Sequence, residues 1–208
     1  MSLNKIFTQL TDELDKLDYT REEILKNSRK IIRDCSVAIK AIHRREMDQY
    51  IEKINSVKTN HENLLALVNK DLGVFFKYLK TPEQEYAEAI SFYSIIKKKE
   101  LPTPLELNIN PLNYALGLAD VIGELRRYIL DNIRNSQIQD INEFLDIMDE
   151  IYTQLFSLDY PSGITHDLRH KTDVARTIIE RTRGDISISV QMSELKSCLE
   201  QSDMKFRK

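Results

Sequence analysis

Two short acidic phrases have the residue types and the spacing for chemistry: Glu85-Tyr86-Ala87-Glu88 and Asp120-Val121-Ile122-Gly123-Glu124. Acids three or four residues apart share one face of an α-helix, about one turn from each other. Both phrases lie in segments that read as helix. If the two helices pack with those faces together, four carboxylates converge. Carboxylates at close range do not all stay ionised without a cation. Oxygen ligands suit a hard cation, Mg²⁺ or Mn²⁺. The plain alternative is a set of solvated surface charges, because glutamate is a favoured helix former anywhere. Spacing alone leaves both readings open.

A second pattern carries the opposite charge. Lys26, Arg29, Lys30, Arg33, Lys40, His43 and Arg44 recur at helical spacing, and between Lys26 and Arg45 only Asp34 is negative. A stripe of this kind can track a phosphate backbone, and a solvated face is again the alternative. Arg127 stands about one turn beyond Glu124. Tyr86 and Tyr114 sit among apolar neighbours and read as core rather than as stacking platforms for bases. Other chemistries lack their motifs. There is no Gly-rich phosphate loop, no Gly-x-Ser-x-Gly, and no HExxH. None of the four histidines follows a glutamate at the spacing a di-iron bundle uses.

The elements that must position these groups are helical. Five Gly, five Pro and no Trp in 208 residues leave long stretches of helix formers with few breakers. The expectation is a single all-α domain over residues 1–208, a bundle of about seven helices. Residues 3–45 form one long helix or two in line, with Asp18-Tyr19-Thr20 as a break and Thr20 with Glu23 as a capping box. Residues 47–70 follow, with His61 on the exposed side. A helix over 71–98, Leu72 included, restarts at Thr81-Pro82, Thr81 capping. The segment 99–111, with Pro102, Pro104 and Pro111, is a connection. Further helices cover 112–135, 139–157, 165–183 and 185–201, with Gly184 ending the third of these. Gly117 and Gly123 lie inside a helix at a cost of about 1 kcal/mol each relative to Ala. Gly117 shares a face with the acids, so close approach of a helix or a ligand is expected there.

A net charge of −3 excludes a globally basic nucleic-acid binder and confines such binding to a local patch. Cys35 and Cys198 fit no metal spacing and suggest a reducing compartment. No signal-like or membrane-spanning apolar run occurs, so the expectation is a soluble, cytoplasmic protein without a membrane role.

Residues 85–92, Glu-Tyr-Ala-Glu-Ala-Ile-Ser-Phe, resemble a signature of the translin/TRAX family on its TRAX-like side. Residues 111–127, Pro-Leu-Asn-Tyr-Ala-Leu-Gly-Leu-Ala-Asp-Val-Ile-Gly-Glu-Leu-Arg-Arg, are similar to the next TRAX segment. Ser28-Arg29, His43-Arg44 and Arg183-Gly184 extend the resemblance over nearly the whole chain. It implies an all-helical subunit of a ring- or shell-like octamer. It further implies a Mg²⁺-dependent endoribonuclease acting on single-stranded RNA from the inner face of that shell. Glu85, Glu88, Asp120 and Glu124 match the family's catalytic, metal-holding acids, and Arg127 matches a basic residue of the same motif. The short 99–111 connection is similar to that of the prokaryotic, particularly archaeal, relatives built from one kind of subunit. A translin-like partner subunit is the other arrangement the family uses. On this reading Arg29, Lys30, Arg33, Lys40, Arg44 and Arg127 hold the nucleic acid. The rivals are a non-catalytic shell that binds single-stranded RNA or DNA, and a scaffold unrelated to nucleic acid.

Overall fold

The computed structural model describes residues 3–70, 73–133 and 138–206. Its long helices are α1 (Leu3–Arg44), α2 (Met47–Val68), α3 (Lys80–Ile96), α5 (Pro111–Asn132), α6 (Ile138–Phe156) and α8 (Leu168–Phe206). Two single-turn helices, α4 (Pro104–Leu107) and α7 (Ser162–Thr165), and a 3-10 turn at Phe76–Leu79 lie between them. No strand occurs among the described residues, so the chain is all-α, as its composition demands. It divides into two compact units, Met1–Gly117 and Leu118–Lys208, and the division falls inside α5.

In the first unit α1 packs on α2 and α3. Its seam is Ile24, Ser28, Ile31, Cys35, Ala38 and Ile42, all buried and spaced alternately four and three apart. The same spacing continues toward the N-terminus in Leu3, Phe7, Leu10 and Leu14, which are 71, 63, 48 and 62 % exposed. The break expected at Asp18-Tyr19-Thr20 is absent, and α1 is one helix. The Thr20 hydroxyl donates back to the Lys16 carbonyl at 3.0 Å, so it serves its own helix instead of capping a new one.

The chain does restart before Pro82. The 3-10 turn leads into α3 at Lys80, and Pro82 falls in the first turn, where a missing N–H costs nothing. Thr81 is not the cap; Leu79 holds that position, without a side-chain hydrogen bond. Leu72, expected in this helix, lies outside the described residues. The 99–111 connection contains α4, closed by a capping box. Glu106 N–H donates to Thr103 Oγ1 at 3.2 Å, and Thr103 N–H donates to Glu106 Oε2 at 2.7 Å.

His61 is buried, contrary to its expected exposure, with Nε2 at 3.3 Å from Glu83 Oε1. Its polar sequence neighbours conceal a ring that turns toward α3 and rests 5.5 Å from the Tyr86 ring. Glu83 is itself 1 % exposed. Its Oε2 accepts from Asn110 N–H at 3.0 Å and from Asn113 Nδ2 at 2.8 Å. Tyr86 and Tyr114 are core residues as read, and the Tyr114 hydroxyl donates to the Pro102 carbonyl at 2.6 Å.

Gly117 is where α5 meets α3. A Cβ there would stand 2.5 Å from the Gln84 carbonyl oxygen and 2.8 Å from Ala87 Cβ. The expected close approach is therefore made by a helix backbone. Gly123 has open space: a Cβ meets nothing within 4 Å, so close approach does not explain this glycine.

In the second unit α6 packs on α8, burying Phe144, Met148, Ile151 and Leu155 with Leu168, Ala175 and Ile179. The stop expected at Gly184 does not occur, and α8 runs through it. Glycine ends a helix by taking left-handed backbone, and the positive-φ glycine of the described residues is Gly73. The flanking residues hold the helix straight. Arg183 pairs with Asp149 of α6, and Asp185 with Arg126 of α5 at 2.8 Å. Before α8, His166 takes φ 47° and ψ −116°, which separates α7 from the longer helix.

The glycines supply a paired test. Gly117→Ala is expected to lower stability by about 1–3 kcal/mol or more, as overpacking against backbone does. Gly123→Ala is expected to raise it by about 0.5–1 kcal/mol. Urea midpoints of the two variants moving in the same direction would contradict the α3–α5 contact.

Candidate functional site

The first acid pair lies in the first unit. Glu85 is half-buried and Glu88 is 9 % exposed, one turn apart on α3. Both face the neighbourhood of Cys35 on α1. Burial pushes the Cys35 thiol well above its ordinary value, and the charges of Glu85, Glu88 and Asp34 add to that. Cys35 is therefore held as a neutral thiol and supplies no thiolate ligand beside these acids.

The second pair lies in the second unit. Asp120 and Glu124 are both partly exposed on α5. Lys171 of α8 grips Asp120, its Nζ donating to the two carboxylate oxygens at 2.5 and 2.6 Å. Glu124 has Arg127 Nη1 at 3.9 Å, and the Arg127 Nε lies 3.9 Å from Asp131. The Arg127 side chain remains 53 % exposed.

Sequence reasoning missed Lys171, which is 51 residues from its partner. One signal was available. The first turn of α8 carries Arg169, His170 and Lys171 and no acid. Cations at the positive end of a helix dipole oppose it and call for an anion from elsewhere.

The structure thus groups the acids two by two, Glu85 with Glu88 and Asp120 with Glu124. Within neither unit, among the described residues, does a group of three or more His, Cys, Asp or Glu side chains stand placed to hold a metal ion. In kind, the donors suit a hard cation, being carboxylate oxygens without thiolate or imidazole.

The basic stripe survives with one loss. Arg29, Lys30, Arg33, Lys40 and Arg44 are all exposed on α1 and make no ion pair among the described residues. Lys26 leans on Glu23 at 3.7 Å. His43 leaves the stripe, its ring lying 5.0 Å from that of Phe92. Asp34, the single acid of the run, accepts from Ser56 Oγ of α2 at 2.8 Å and so is turned away from the cations. Among the described residues no helix is long and apolar enough to cross a membrane.

Comparison with known proteins bears on this arrangement. A model of the translin family matches residues 19–183. An uncharacterized protein of Methanocaldococcus jannaschii is 38 % identical over 192 residues, 91 % of this chain and 85 % of that one. Translin-associated protein X of Rattus norvegicus is 24 % identical over 187 residues; the match covers 70 % of this chain and 64 % of that longer protein. The solved structure of AfC3PO in complex with duplex RNA superposes with a TM-score of 0.82 at 27 % identity, covering 91 % of this chain and 98 % of that one.

Proposed function

We propose a function from one premise: the chain belongs to the translin family, on its TRAX-like side. The proposal is an endoribonuclease for single-stranded RNA that works with Mg²⁺ or Mn²⁺. The observation that carries it is the row of exposed, uncompensated cations on α1. Five like charges on one helix repel one another, and a phosphate backbone relieves that repulsion along the whole row. RNA is also what the similar AfC3PO binds.

In this reading Arg29, Lys30, Arg33, Lys40 and Arg44 hold the RNA backbone with little sequence preference. Arg127, exposed beside Glu124, balances charge on the phosphate to be cut. Glu85, Glu88, Asp120 and Glu124 hold the cation, and a carboxylate of the set accepts the proton of the attacking water. Bound there, a divalent cation would polarise a phosphate oxygen and lower the pKa of water. A second reading, a non-catalytic binder of single-stranded RNA or DNA, is favoured by the Lys171 clamp, which already neutralises Asp120.

Assembly belongs to the same proposal. Leu3, Phe7, Leu10 and Leu14 on α1, and Ile188, Met192, Leu195 and Leu199 on α8, are exposed at helical spacing. Apolar stripes of this length mark subunit contacts. We assign them to a homo-oligomer, an octamer, with a translin-like second subunit as the other arrangement. The free thiols of Cys35 and Cys198 suit the cytoplasm.

Three measurements test these statements. Labelled single-stranded RNA should be cut with Mg²⁺ and spared with EDTA. Glu88→Gln, Asp120→Asn and Glu124→Gln should each reduce cleavage by about 10²-fold or more, with RNA affinity unchanged or higher. Full activity per folded molecule in these variants would leave the binding-only reading. Replacing Arg29, Lys30 and Arg33 together with Ala should weaken RNA binding and flatten its salt dependence. An unaltered slope would move the RNA surface elsewhere. Light scattering at micromolar concentration should give about eight times the 24.4 kDa chain mass, and a value near one chain mass would contradict assembly.

A further inference from the structure

Asp120 is one of the acids assigned above to a divalent cation, yet it already has a cation. Lys171 Nζ donates to Oδ1 at 2.5 Å and to Oδ2 at 2.6 Å, so one ammonium spans both oxygens. The pair is shielded, with side chains 23 % and 29 % exposed. Its placement is not left to a flexible stem alone. Leu168, Thr172 and Ala175, on either side of Lys171 in α8, are buried and seat this turn of the helix. Lys171 N–H is itself bonded to the Asp167 carbonyl at 3.0 Å.

A divalent ion binds a carboxylate oxygen at roughly 2.0–2.2 Å. With the ammonium on that same oxygen, the two cations would stand within about 5 Å, and like charges at that range disfavour joint occupancy. The metal and the ammonium are therefore alternatives at Asp120.

We propose that Lys171 is a positioning residue that competes with the divalent cation for Asp120: it neutralises and aims the carboxylate in the metal-free protein and is displaced when metal binds. The proposal rests on the metal reading given above. It makes metal affinity a difference between two occupants of one carboxylate. The displaced ammonium stays close by on α8 as a mobile positive charge.

The test is Mn²⁺ binding, followed by loss of the free-Mn²⁺ paramagnetic resonance signal, in the full-length protein without RNA. Lys171→Met keeps the length of the side chain and removes the competitor. It should tighten Mn²⁺ binding by about tenfold, the scale of a partly shielded ion pair lost from the metal-free state. Lys171→Arg, which keeps the charge, should stay near the wild type. Asp120→Asn should lose binding in either background. Thermal melting without metal should show Lys171→Met folded, and Lys171→Arg serves if it is not. If wild-type binding depends on Asp120 but neither Lys171 variant differs from it, or Lys171→Met binds more weakly, the competition is overturned while the metal reading stands. If no form binds Mn²⁺ through Asp120, both fall together.

Discussion

The buried carboxylate of Glu83 is the constraint on which the first unit depends. A carboxylate leaves water only when its oxygens find donors. Here the donors are the Asn110 backbone, the Asn113 amide and the His61 ring. Those partners come from α2 and from the entry into α5, so one side chain on α3 ties three segments to a common point. Just beyond, Gly117 lets α5 lie backbone to backbone against Gln84 and Ala87. The turn of α3 that carries Glu85 and Glu88 is thus held from two directions before either acid is asked to do anything.

Charge is distributed by a simple contrast. The acids assigned to chemistry have neighbours inside the chain: Lys171 on Asp120, Arg127 near Glu124, and α1 beside Glu85 and Glu88. The cations assigned to RNA have none among the described residues. Internal pairing keeps partly buried carboxylates from repelling one another. Unpaired surface cations keep their full attraction for a polyanion, which is what backbone recognition requires. A net charge of −3 therefore coexists with a strongly positive helix face.

Long helices α1 and α8 each change character along their length. The α1 seam is buried from Ile24 onward and exposed before it, with no change in spacing. On α8 the buried face ends near Ile186, and Ile188, Met192, Leu195 and Leu199 are exposed. Apolar periodicity that outruns the chain's own core is the pattern of helices completed by another subunit.

The helical class, the long amphipathic seam of α1, the acid pairs at Glu85/Glu88 and Asp120/Glu124, and the cation row were legible in the sequence, because each depends on spacing within one helix. The core placement of Tyr86 and Tyr114 followed from their apolar neighbours for the same reason. What the sequence did not reveal depends on contacts across elements. Thr20 and Gly184 carry local stop signals that α1 and α8 override, since ion pairs and packing from distant residues outweigh about 1 kcal/mol of local preference. His61 reads as exposed until α3 brings Glu83 and Tyr86 to it. Gly117 and Gly123 look alike in sequence, and only the Gln84 carbonyl beside Gly117 tells them apart. Lys171 belongs beside Asp120 by the packing of α8, because a charge finds its partner through space and not along the chain.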